Sequence, residues 1–125
     1  MHNRTDDFSP LTLAFVGDGV YDLLVREHLA RQANRPVGEL NKAKVAMVNC
    51  KSQARLAALL MPHLSEKETA VYKRGRNAAP KSTAKNGTVA EYHSATGLEC
   101  LFGYLYLNGD MERIGELFEL IVGLA

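Results

Sequence analysis

Apolar residues recur at three- and four-residue spacing through most of this chain, and no stretch alternates with the two-residue period of a half-buried strand. The pattern predicts an all-α domain in which helix packs on helix. Ser9 and Pro10 read as the N-cap and first position of a helix that runs to about Arg31. "QANRPVG" breaks it. A second helical region covers Glu39 to about Met61, with an interruption near Asn49. Its apolar positions are Leu40, Ala43, Ala46 and Met47, then Ala54, Ala57, Ala58 and Met61. "SEKE" from Ser65 to Glu68 is a capping box for a third helix that stops near Arg76. "GRNAAPKSTAKNGT" follows and reads as a long exposed loop, a kind of segment that is often functional in compact domains. A helix from about Ala90 to Leu107 ends at "NGD". Asp110 then caps a last helix with Ile114, Leu117, Phe118, Ile121 and Val122 on its apolar side. Residues 1–10 are expected to form a flexible N-terminal arm and residues 11–125 one folded domain.

Two positions break the apolar pattern. Asp18 lies in the core-like run "LTLAFVGDGVYDLLVR", between Gly17 and Gly19. An ionised carboxylate is costly to bury without a partner, and each glycine weakens a helix by roughly 1 kcal/mol. The missing side chains would let another helix or a ligand approach the backbone. Two readings of Asp18 stay open: a buried carboxylate held by local donors, or part of a binding site. Asp22, one turn on, reads as the surface partner of Arg26. Glu99 is the second anomaly, in "HSATGLECLFGYLYLNG", with Gly97 and Gly103 nearby. If the two acids face each other, they repel unless one holds a proton or a cation lies between them. A hard divalent cation, Mg²⁺ or Mn²⁺, suits that oxygen set. The alternative is two unrelated acids, each satisfied locally.

Charge matters through its placement, since the formal net charge is only +1. No acid occurs from Thr69 to Ala90, where Lys73, Arg74, Arg76, Lys81 and Lys85 stand among Asn77, Ser82, Thr83 and Asn86. Such a stretch suits phosphate contacts, or it is simply a solvated loop. It lacks the aromatic platform for stacking single-stranded bases. The 46% hydrophobic content supports a real core. Cys50 and Cys100 sit in apolar runs with no metal-binding spacing, and read as reduced core cysteines. "MHNRTDD" is not followed by a signal-peptide pattern, and the longest apolar run is too short to span a bilayer. A cytoplasmic location with no membrane partner is therefore expected. His2, His28, His63 and His93 stand alone, and no P-loop, dinucleotide fingerprint or serine-nucleophile elbow is present.

"LAFVGDGVYDLLVR" resembles the ribonuclease III signature, and "ATGLECLFGYLYLNGD" resembles the second acidic helix of that family. "KRGRNA" at Lys73 to Ala78, with no double-stranded-RNA-binding domain following, is similar to the compact Mini-ribonuclease III subgroup. The resemblance implies a Mg²⁺-dependent endoribonuclease for double-stranded RNA that matures large-subunit (23S) ribosomal RNA precursor. Asp18 and Glu99 would be its catalytic metal ligands, with Mn²⁺ as a substitute ion. Lys73, Arg74, Arg76, Asn77, Lys81 and Lys85 would contact RNA. A homodimer would form through Leu13, Phe15, Val16 and Val20, and a ribosomal protein is a further candidate partner. Larger relatives carry acids where this chain has Leu11, Ala14 and Thr96, which motivates an alternative: a non-catalytic RNA-binding dimer in ribosome assembly. A helical interaction domain with no RNA role is a weaker third reading.

Overall fold

The computed structural model describes residues 5–80 and 88–124. Six α-helices are found among the described residues, with no strand: α1 (Pro10–Gln32), α2 (Val37–Met47), α3 (Cys50–Leu60), α4 (Glu66–Ala78), α5 (Val89–Leu107) and α6 (Met111–Leu124). The capping chemistry read from the sequence sets the starts. The Ser9 hydroxyl accepts from the Thr12 N–H, and Ser65 and Glu68 form the full reciprocal box. Thr88 and Glu91 form a second box, which starts α5 at Val89. The region from Glu39 to Met61 divides at Asn49, whose side chain accepts from the Ser52 N–H and caps α3. Thr5–Asp7, within the segment read as an arm, form one 3-10 turn in which Thr5 is buried.

α5 is the axis. From Ala95 to Leu105 every residue except Glu99 is buried, the pattern of a helix covered on all sides. α1, α3 and α4 pack around it. α1 offers one stripe, Leu13, Gly17, Tyr21, Val25 and Leu29, spaced four apart. Tyr21 lies edge-on to both Phe102 and Phe118. α6 closes the end of the bundle and is held to α4 by Arg113, whose Nε donates to Glu68 at 2.8 Å. Its guanidinium also donates to the His63 carbonyl at 2.8 Å, so Glu68 serves both its own cap and this tie. Arg113 holds the Glu68 carboxyl below the usual carboxylate range.

Glycines bring the helices into backbone contact. A Cβ on Gly17 would overlap the Glu99 carbonyl, and a Cβ on Gly103 would overlap the Leu13 carbonyl. The α1 and α5 backbones therefore touch at a Gly17–Gly103 crossing. On its other side α5 meets α4, where Gly97 fits under Tyr72 and Gly75 fits over Cys100. Gly75 thus belongs to a packed helix, not to a loop. The segment read as loop from Gly75 is helical through Ala78, and Ala79 is buried. The apolar stripe of α3 also differs from the one read in the sequence. Gln53, Leu56, Ala57 and Leu60 are buried, whereas Ala58 is exposed.

Replacing Gly103 by alanine puts a methyl group into backbone and is expected to cost about 3 kcal/mol or more. Gly115, exposed on α6 with open space around it, should gain about 0.5–1 kcal/mol from the same change. Urea unfolding of both variants checks the contrast. Equal effects would mean that the crossing is not close-packed.

Candidate functional site

The Gly17–Gly103 crossing decides where the two anomalous acids go. Glu99 gives its carbonyl to the contact with Gly17, and Asp18 is the next residue along α1. Their side chains emerge together, within hydrogen-bonding reach. Asp18 is exposed and Glu99 is half-buried behind it, so the pair opens to solvent on the α1 side. Burial pushes the Glu99 carboxyl up to about 8, and the neighbouring Asp18 charge adds to the shift. Gln53 of α3 works in the opposite direction, its amide donating to Glu99 Oε2 at 3.4 Å. A carboxyl raised this far beside a second acid lacks a counter-cation. Two carboxylates with a neutral amide behind them form a hard oxygen set that fits a Mg²⁺ or Mn²⁺ ion. Among the described residues no third His, Cys, Asp or Glu joins them.

The surroundings explain the rest. Ala14 and Thr96, where larger relatives carry acids, are buried, and the Thr96 hydroxyl donates to the Tyr92 carbonyl at 3.0 Å. Gly19 faces open space, so only Gly17 of the flanking pair meets another helix. Asp22 does pair with Arg26, at 2.6 Å, and also meets Lys44 of α2 at 3.5 Å. It ties α1 to α2. His93 Nε2 donates to the Pro80 carbonyl at 3.1 Å and so holds the joint between α4 and α5. Cys50 and Cys100 are both free, and burial pushes the Cys100 thiol up to about 11.

The basic stretch begins as helix. Lys73, Arg74 and Asn77 are exposed on the last turns of α4, at spacings that put them on adjoining positions of one surface. Arg76 is half-buried with its guanidinium 5.9 Å from the centre of the Tyr72 ring. Lys81 and Lys85 lie outside the described residues. Of the four interface candidates, Leu13 does not fit the role. It is 1% exposed and packs in the protomer core, because α1 turns that side toward α5. Phe15 is 82% exposed, and Val16 and Val20 are half-buried. Leu11 and Leu23 are also exposed, each at four- or eight-residue spacing from Phe15. Gln53 escaped the sequence reading. Its signal was a polar residue at spacing three, four and seven before Leu56, Ala57 and Leu60.

The chain is similar to known proteins in both sequence and fold. A family profile described as the ribonuclease III domain matches residues 11–110. A relative named Mini-ribonuclease 3 from Thermoanaerobacter sp. (strain X514) is 45% identical over 114 residues, 91% of this chain and 80% of its own. Another of that name, from Brevibacillus brevis, is 46% identical over 111 residues, 89% of this chain and 83% of its own. A crystal structure of a Fusobacterium nucleatum protein matches with a TM-score of 0.84 at 32% identity, covering 94% of this chain and 93% of that one.

The acid pair makes a pH prediction for metal-free protein. The Glu99 carboxyl is raised in the fold, so its favourable contribution is full below the unfolded value near 4.3 and fades as pH rises through about 8. Melting temperature should therefore fall between pH 6 and pH 9. Glu99→Gln should flatten that fall and melt about 5 °C above wild type at pH 9, the shift that roughly 1 kcal/mol produces in a domain of this size. Parallel pH curves for the two proteins would refute the assignment.

Proposed function

The chain belongs to the ribonuclease III family, and we propose that it is a Mg²⁺-dependent, homodimeric endoribonuclease that trims the precursor of large-subunit (23S) ribosomal RNA. It is an endoribonuclease, and double-stranded RNA is the substrate class that the family membership implies. The observation that carries the reading is the meeting of Asp18 and Glu99 across the α1–α5 crossing. The precursor RNA is assigned on the likeness to compact relatives over most of the chain. The ribonuclease name of those relatives weighs against a purely non-catalytic scaffold.

In this reading Asp18 and Glu99 hold the metal, Asp18 from the open side and Glu99 from within. Magnesium, when bound, supplies a water of lowered pKa and offsets charge on the pentavalent phosphorus of the transition state. Hydrolysis leaves a 5′ phosphate and a 3′ hydroxyl. Glu99, whose carboxyl burial pushes up, would have to be deprotonated to serve as a ligand. Lys73, Arg74, Arg76 and Asn77, with Lys81 and Lys85, meet phosphates and 2′ hydroxyls, reading duplex shape more than sequence. One protomer brings one acid pair, and two strands need two cuts. A two-fold dimer supplies them. Phe15 leads the interface, flanked by Val16 and Val20, and the exposed Leu11 and Leu23 extend the same apolar surface. A cytoplasmic location is part of this proposal, and among the described residues no helix is long and apolar enough to cross a membrane. A ribosomal protein that presents the precursor is a further proposed partner.

Asp18→Asn and Glu99→Gln should each lower the cleavage rate of a duplex RNA by at least about a thousandfold, a loss of roughly 4 kcal/mol of transition-state stabilisation. Gel-shift affinity for the same duplex should change little. Full cleavage by either variant would refute the metal role. Wild-type binding without cleavage across Mg²⁺ and Mn²⁺ titrations would favour the scaffold.

Two further variants address the surfaces. Neutralising Lys73, Arg74 and Arg76 together should flatten the dependence of log affinity on log salt by about 2–3, since each phosphate contact contributes about 0.9. Phe15→Asp should sediment as a folded monomer. A dimer of unchanged stability would remove Phe15 from the interface.

A further inference from the structure

Gln53 is a buried amide in a place where an apolar side chain would serve the packing. It is 3% exposed and shares its stripe of α3 with Leu56, Ala57 and Leu60, all of which pack in the core. A polar group buried there costs free energy unless it has a partner. Its partner is Glu99 of α5, reached by the amide nitrogen at 3.4 Å. The relation is mutual, because among the described residues this amide is the one side-chain or backbone group that donates to the Glu99 carboxylate beyond its contact with Asp18.

Other polar groups in this part of the core do not bond to Glu99 among the described residues. Tyr21, fully buried against Phe102 and Phe118, leaves its hydroxyl without a partner among the described residues. Burial pushes the Tyr21 phenol up to about 12. α3 carries a cation two residues beyond Gln53, Arg55, but it is exposed and bonds to no carboxylate among the described residues. The contact with Glu99 is thus made by an uncharged donor. A lysine or arginine there would neutralise the acid and repel a divalent ion. An amide fixes the carboxylate's direction and leaves its charge for the metal.

We propose that Gln53 is a positioning residue for the divalent-metal site, orienting the Glu99 carboxylate from α3 where no third acid joins the pair among the described residues. The inference rests on the metal-site reading above and deepens it. It predicts that Gln53 acts on metal affinity without touching metal or RNA.

The experiment is a Mn²⁺ titration of metal-free, full-length protein without RNA, read by electron paramagnetic resonance of the free ion. Wild type is compared with Gln53→Met, Gln53→Asn and Glu99→Gln. Methionine keeps the length and removes the donor, whereas asparagine keeps the amide and withdraws it by one methylene. Each Gln53 variant should bind Mn²⁺ about tenfold more weakly, the effect typical of losing a ligand's outer partner, with melting and duplex binding close to wild type. The Mg²⁺ concentration for half-maximal cleavage should rise by a similar factor, and the rate at saturating Mg²⁺ should return to within a few-fold of wild type. If methionine prevents folding, the asparagine variant decides. Mn²⁺ affinity within twofold of wild type in a folded Gln53 variant would overturn the proposal. If Glu99→Gln itself binds Mn²⁺ like wild type, the metal-site reading fails and this inference fails with it.

Discussion

The contact between Gly17 of α1 and Gly103 of α5 governs the arrangement of this molecule. Two helix backbones can touch only where neither carries a Cβ, and here each glycine faces a backbone carbonyl or amide of the other helix. That approach places the Glu99 carbonyl against α1 and makes Asp18 the neighbour of the Glu99 side chain. The remaining helices adapt to this axis. α4 closes on the opposite side of α5 through Gly75 and Gly97, and α3 brings Gln53 to the inner edge of the acid pair. Larger residues at the crossing would separate the two acids along with the helices.

The arrangement has a thermodynamic cost that points to its use. Glu99 is driven toward its protonated form by burial and by Asp18, and among the described residues its one donor is the uncharged Gln53 amide, at a long 3.4 Å. Elsewhere the same chain satisfies a partly buried acid fully: Glu68 has two contacts from Arg113 and one from the Ser65 backbone. The contrast separates Glu68, which ties helices together, from Glu99, whose carboxyl lacks such partners among the described residues and is the stronger candidate for a functional role. Surface charge follows the same division. Asp22 is occupied by Arg26 and Lys44, while Lys73 and Arg74 at the end of α4 form no ion pair among the described residues.

Much of this was legible in the residues. Caps at Ser9, Ser65 and Asp110 mark helix starts, and the lone acids in apolar helices mark the candidate site, because both signals are local and chemical. What escaped depends on which side of a helix turns inward. The sequence pattern puts the stripe of α3 on Ala54, Ala57, Ala58 and Met61, each one residue after the buried Gln53, Leu56, Ala57 and Leu60, because alanines on both sides blur the apolar face. Gln53 therefore does not stand out in the sequence. Leu13 and Phe15, two residues apart on α1, point to opposite environments, and composition cannot say which one faces the core. Gly17 and Gly19 look equivalent beside Asp18, yet only Gly17 meets a second helix. Gly75 reads as a loop residue until its contact with Cys100 explains it.

If Asp18 and Glu99 converge to share one divalent ion, crystals soaked in Mn²⁺ and measured for anomalous scattering will show a peak between the two carboxylates, about 2.0–2.3 Å from an oxygen of each, with the direct contact between the acids replaced by the ion. Carboxylates still bonded to each other, with no manganese between them at saturating concentration, would contradict it.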